Sequence, residues 1–140
     1  MRRYRFLRHT ADAKFQAFGR TLEEAFTNAA LATTSLMWDW HEVERRTEYS
    51  IRTEGRDMEQ LLVNFLEEIL YLLDTQMFFL GGVEDVSIQK KGSRFFLTAR
   101  FLGDRNPDRY RIYGDVKAIT YNEMSISKND RYTIQVVVDM

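Results

Sequence analysis

Apolar residues along the chain recur with two different periods, and the change of period marks its elements. Leu22, Ala25, Phe26, Ala29, Ala30, Thr33 and Met37 are spaced by threes and fours, which places them on one face of an amphipathic helix. Thr21 stands before this run with Glu24 three residues on, the T-x-x-E capping box that starts a helix. A second helix is predicted from near Asp57, with Gln60 in the equivalent capping position. Leu61, Leu62, Phe65, Leu66, Ile69, Leu70 and Leu73 form its broad apolar stripe, and Glu59, Asn64, Glu67, Glu68 and Tyr71 its wetter side. Elsewhere the period is two. Residues 43–53 alternate through Val43, Arg45, Thr47, Tyr49, Ile51 and Thr53, and residues 95–101 through Phe95, Leu97, Ala99 and Phe101, the pattern of half-exposed strands. Residues 13–19 predict a short strand before the first helix.

Turn chemistry joins the later strands into hairpins. Lys90-Lys91-Gly92-Ser93 separates Val86-Ser87-Ile88 from the strand at 95–101, and Lys128-Asn129-Asp130 separates residues 116–126 from 132–138. Gly, Asn and Asp tolerate the left-handed conformations such turns use. Consecutive hairpins imply antiparallel pairing, and the helices must cover a face of the sheet. The expected fold is α+β, a two-layer sandwich of two amphipathic helices on a mostly antiparallel sheet. The lone proline, Pro107, falls in a polar loop, and no repeat, linker or low-complexity tract interrupts the 140 residues. A single domain over 1–140 is expected.

Composition narrows the chemistry. With no cysteine, disulfides, thiolate catalysis and Cys-based zinc sites are excluded. A net charge of −1 gives no overall basic field, so nucleic-acid contact needs a local patch or a partner. Arg2, Arg3, Arg5 and Arg8 open the chain like a signal peptide, but Arg8, His9 and Asp12 stand where the apolar stretch belongs. No apolar run approaches the ~20 residues of a membrane span. A cytoplasmic protein without membrane contact is expected.

The candidate site lies at the two ends of the chain. Val136-Val137-Val138-Asp139-Met140 reads as a core strand that stops on an acidic residue beside a terminal carboxylate, where a frayed polar tail is the usual pattern. If Asp12, which enters the strand at 13–19, lies beside them, hard anionic oxygens converge and call for a cation. An oxygen-only donor set points to calcium, with magnesium or manganese as alternatives. The plain alternative is a solvated chain end. His9 reads as a general base, an orienter of a ligand, or simply a turn residue. Trp38 and Trp40, around Asp39 and before His41, read as a contact surface or as an aromatic plug over the core. Lys117 adds a charge to the strand at 116–121, either as a partner contact or as an ordinary solvent-facing lysine. No Ser-His-Asp elbow, Walker loop or dinucleotide fingerprint is present, so a self-sufficient enzyme is not indicated.

Several segments together resemble the archease family. His9-Thr10-Ala11-Asp12, Gly19-Arg20-Thr21-Leu22-Glu23-Glu24-Ala25-Phe26, residues 61–70, residues 116–121 and Asp139-Met140 are similar to archease motifs, in the same order. The resemblance implies a small non-enzymatic protein cofactor of the GTP-dependent RtcB-type RNA ligase of tRNA splicing, one that promotes guanylylation and multiple turnover. It implies metal ligation by Asp12, Asp139 and Met140, the last through an oxygen of its backbone, and RNA contact only through the ligase. Partner contacts are expected at His9, Lys117, Trp38 and Trp40. Arg8 stands where the family usually has an acidic residue, Met140 where it has isoleucine, and Asn122 where some relatives have histidine. A chaperone-like adaptor for an RNA-modifying protein is the alternative function, and a metal-dependent hydrolase a third.

Overall fold

In the computed structural model, which describes residues 1–8 and 12–140, both helices start where their capping signals stand. Helix α1 spans Leu22–Ser35, with the Thr21 hydroxyl accepting from the Glu24 N–H at 3.1 Å. Helix α2 spans Met58–Gln76, with the Asp57 carboxylate accepting from the Gln60 N–H at 2.8 Å. In return, Glu24 and Gln60 accept from the backbone N–H groups of Arg20 and Arg56, closing both boxes. Helix α1 ends before Met37, which is buried but lies beyond the helix. Thr33, Thr34 and Ser35 each donate to the carbonyl four residues back, an arrangement that competes with continuing the helix.

Seven strands accompany the helices: β1 (Tyr4–Leu7), β2 (Ala13–Gly19), β3 (Thr47–Gly55), β4 (Phe79–Lys91), β5 (Arg94–Asp104), β6 (Ala118–Lys128) and β7 (Tyr132–Asp139). The fold is α+β and every pairing is antiparallel. The strands form two sheets, however, where the sequence pattern suggested one: a four-stranded sheet in the order β1-β2-β7-β6 and a three-stranded sheet in the order β3-β5-β4. Helix α1 packs chiefly on β2 and β4, and α2 on β3 and β6, so each helix touches both sheets. Their inner faces share one buried cluster, in which the Phe26 and Phe65 rings lie 5.8 Å apart and Phe65 and Phe101 5.6 Å apart.

Strand boundaries shift where packing overrides alternation. The strand expected from Val43 begins at Thr47, because a single helical turn at Trp40–Glu42 swings Val43 inward, where it lies against Gly81. Strand β1 alternates only briefly, Tyr4 and Phe6 between arginines, and is held by pairing with β2. Between the pairs Thr120↔Val137 and Ser125↔Gln135, β6 carries three more residues than β7, and Glu123 takes a φ of 53°. This wide bulge pushes residues 121–124 off the ladder. Gly103 permits the closest crossing of the three-stranded sheet: a Cβ there would stand 1.9 Å from the Phe79 carbonyl oxygen, a backbone atom that cannot yield.

The loop after β5 is anchored by a buried carboxylate. Tyr110 donates to Asp104 Oδ2 at 2.6 Å and accepts from the Glu44 N–H at 3.1 Å, while Asp104 Oδ1 accepts from the Arg105 N–H at 2.9 Å. The Tyr110 hydroxyl holds the Asp104 carboxyl below its ordinary range, and burial together with Asp104 pushes the Tyr110 phenol up. A carboxyl whose pKa falls on folding stabilises the native state fully above its unfolded value of about 3.9. That stabilisation fades as the pH drops through and below this value, where the unfolded chain takes up the proton first. Urea midpoints measured from pH 5 down to pH 2 are therefore expected to fall less steeply for Asp104→Asn than for the native chain. Equal slopes would mean that Asp104 contributes nothing to the acid limb.

Candidate functional site

The antiparallel pairing of β2 with β7 brings the two ends of the chain together. Ala13 faces Val138, Lys14 faces Val137 and Phe15 faces Val136. Asp12 immediately precedes Ala13 and Asp139 immediately follows Val138, so the two residues lie at the same end of this ladder. On the other flank of β7, Ala118 faces Asp139, and the Lys117 N–H donates to the Asp139 carbonyl at 2.8 Å. The backbone of Asp139 is thus held from both sides.

Residues opposed across a ladder share a face. Val136 and Val138 point into the core and are fully buried. Asp12 and Asp139 therefore lie on the outward face with Lys14 and Thr120. Asp139 is exposed and Asp12 half-buried. The Thr120 hydroxyl donates to the Val137 carbonyl at 2.7 Å, and the Lys14 ammonium lies 3.0 Å from Glu123 Oε1. Met140 turns its side chain against the core and the Gly114 backbone, which leaves its main-chain oxygen at the end of the strand. The Asp12 and Asp139 carboxylates and the Met140 main-chain oxygen are hard oxygen donors, the kind that calcium or magnesium takes. Among the described residues, no three His, Asp or Glu side chains come together as a self-contained metal cluster. Arg8 forms no ion pair among the described residues.

The other sequence candidates scatter. His9 lies outside the described residues. Lys117 is exposed and borders the carboxylates through its backbone bond to Asp139. Trp38 is a core residue, which corrects the expectation of a contact surface there: it is fully buried, its indole N–H donates to the Leu80 carbonyl at 2.9 Å, and its ring meets Phe79 edge-on at 5.0 Å. No partner can reach it in this fold. Trp40 is nearly buried beneath the His41 ring, stacked at 3.7 Å, with its N–H donating to the Tyr4 hydroxyl at 3.0 Å. His41 Nδ1 lies 2.8 Å from Asp39 Oδ1, and this contact lowers the Asp39 carboxyl below its ordinary range. Glu123, beside Lys14, was invisible to sequence reasoning, because a bulge with positive φ leaves no periodic signature.

A model of the Archease protein family (MTH1598/TM1083) matches residues 4–140. The chain is 36% identical over 143 residues to Protein archease of Pyrococcus furiosus, and 39% identical over 142 residues to Protein archease of Sulfolobus acidocaldarius, covering 100% of both chains in each case. Among solved structures, it matches the solution structure of Methanobacterium thermoautotrophicum protein 1598 with a TM-score of 0.85, at 32% identity and with both chains covered in full.

Proposed function

The chain belongs to the archease family, and from that premise we propose that it serves as a protein cofactor of an RtcB-type RNA ligase. It promotes guanylylation of the ligase and restores its multiple turnover in tRNA splicing, and it performs no chemistry alone. The observation that supports this reading is the β2–β7 register, which brings Asp139 and the residue before Ala13, Asp12, to the same end of the two central strands. Such a pair presents negative charge outward, where a metal-dependent partner can meet it.

The donor set fits a divalent cation, calcium foremost. Asp12, Asp139 and the Met140 main-chain oxygen would hold it, and a bound ion would supply the positive charge that lets two carboxylates stand together. The chain's own part is to fix that geometry. The hydrogen bond from Lys117 and the pairing with β2 hold Asp139 between two strands, so the carboxylates meet a partner already oriented. Remaining coordination positions stay open to water or to the partner's oxygens. No helix among the described residues is long and apolar enough to cross a membrane, and we place the protein with its ligase in the cytoplasm. The burial of Trp38 weighs against the adaptor alternative, which relied on that side chain as a surface.

The test is guanylylation and RNA joining by the cognate ligase, under single- and multiple-turnover conditions, with and without this protein. Stimulation confined to multiple turnover is expected. An active ligase that turns over equally well without the chain would overturn the reading.

A further inference from the structure

Most of the arginines without a carboxylate partner among the described residues gather at one sheet edge, Arg52 on β3, Arg105 and Arg111 being the others. Arg45, Arg46, Arg56, Arg94, Arg100 and Arg109, on or next to the three-stranded sheet, each have a carboxylate partner. Arg2, Arg3, Arg5 and Arg8 along the edge strand β1, with Arg20 and Arg131 in neighbouring turns, have none among the described residues, and all six are exposed. The net charge of −1 therefore conceals a local row of unpaired arginines.

These side chains gather around one edge strand but alternate between its faces: Arg5 stands on the side of Gln16, Tyr4 and Phe6 on the side of Phe15. The Phe18 N–H donates to the Arg3 carbonyl at 2.8 Å, so the pairing of β1 and β2 continues past Tyr4. Arg131 lies 3.9 Å over the Phe18 ring. Arg2, Arg3 and Arg20 line one open cleft together with Thr27 and Asn28. Glu24 also borders that cleft, but its carboxylate is engaged as the acceptor for the Arg20 N–H. From Arg2 to Arg8 the row extends about 20 Å at the rise of a strand.

Several of these arginines are held in place rather than mobile. Arg5 donates through Nε and Nη2 to Gln16 Oε1, Gln16 donates to Gln135 Oε1, and Gln135 donates to the Glu123 carbonyl, a chain of hydrogen bonds spanning the four-stranded sheet. Arg3 lies 5.5 Å from the Trp40 ring. On the face of β1 opposite Arg5, Phe6 keeps 46% of its surface exposed although it touches Tyr4 and Phe15 edge-on.

We propose that the β1 edge, from the Arg2–Arg3–Arg20 cleft to Phe6 and Arg8, is a binding surface for single-stranded RNA. Guanidinium groups pair with phosphates in forked geometry and stack on bases, which a lysine row does less well. The exposed Phe6 ring, on the other face of the same edge strand, supplies a stacking platform to an RNA strand that wraps the edge, for which an acidic peptide has no use. The surface reaches RNA directly, in contrast to the expectation that RNA is met only through the ligase. Through Arg8 it runs up to the start of β2, which Asp12 immediately precedes, since Leu7 faces Lys14.

The experiment is fluorescence polarisation of a labelled 12-nucleotide single-stranded RNA titrated with the full chain, with the ligase absent. Dissociation constants of about 10⁻⁴–10⁻⁶ M are expected, falling off with salt by about 0.7 logarithmic unit per phosphate neutralised. Joint substitution of Arg2→Ala, Arg3→Ala, Arg5→Ala and Arg20→Ala should weaken binding at least ten-fold. Phe6→Leu keeps the apolar contacts but removes the ring, and should weaken it about five-fold at an unchanged salt slope. RNA binding that neither variant alters, or polyglutamate competing as well as unlabelled RNA, would overturn the proposal. Because no ligase is present, failure here leaves the carboxylate reading standing, and failure of ligase stimulation leaves this one standing.

Discussion

Alanine at Asp12 or at Asp139 is expected to return the ligase to its unassisted turnover, a loss of at least ten-fold in multiple-turnover joining. Disturbing groups that merely orient a metal ligand costs about 10–100-fold, and these two side chains are the proposed donors themselves. The fold should survive either change. Asp139 points outward and its backbone bonds to the Lys117 N–H and to β2 do not depend on the side chain. Surface substitutions of this kind shift stability by about 0.5 kcal/mol or less. Asp139→Asn is the sharper probe, since it keeps the shape and removes the charge. Calcium in excess should raise the Tm of the native chain, because a ligand bound to the folded state alone at 100 times its Kd adds about 2.7 kcal/mol. The shift should vanish in Asp139→Asn. A variant that stimulates the ligase as well as the native chain would remove the carboxylates from the mechanism, whatever the fate of the family assignment.

Trp38→Ala should act on stability instead. The side chain is fully buried, its N–H satisfies the Leu80 carbonyl and its ring meets Phe79. Truncating a buried aromatic to alanine costs about 3–5 kcal/mol, against a total of about 5–15 kcal/mol for an ordinary domain. The Tm should drop by roughly 10 °C or more. Trp38→Phe, which keeps most of the volume and loses the hydrogen bond, should cost about 1–3 kcal/mol for the carbonyl left unpaired. Loss of ligase stimulation in Trp38→Ala at a temperature where Trp38→Phe is active would thus report unfolding and not a lost contact. A Trp38→Ala chain with unchanged Tm and no stimulation would contradict this account and revive a direct role for the residue.

The candidate site was legible in unequal parts. Asp12 and Asp139 stood out because hard anionic residues bordered strand patterns, and chemistry alone asked for a cation between them. Their adjacency depends on the pairing of the second strand with the last, between residues more than 120 positions apart, which no local signal encodes. The arginine edge shows the reverse case. Each arginine is plain in the sequence, but the split between paired and unpaired ones exists only after two sheets form. Trp38 illustrates a third: its neighbours on the page, Asp39 and His41, are exposed, and only the packing of Phe79 and Leu80 against it shows that it faces inward.

What the sequence determined by itself is everything governed by interactions a few residues long. Both helices begin at Thr21 and Asp57 because the side chains that satisfy their first N–H groups lie within three positions. The hairpins β4–β5 and β6–β7 close at turn residues for the same reason. Tertiary structure alone decided that the strands divide into two sheets and that the short β1 becomes an edge. It also decided that β6 bulges at Glu123 and that the chain's two ends share a face. Those outcomes depend on burying one common core between distant segments, and burial is non-directional: it rewards whichever long-range pairing encloses the apolar faces and leaves no trace in the spacing of nearby residues.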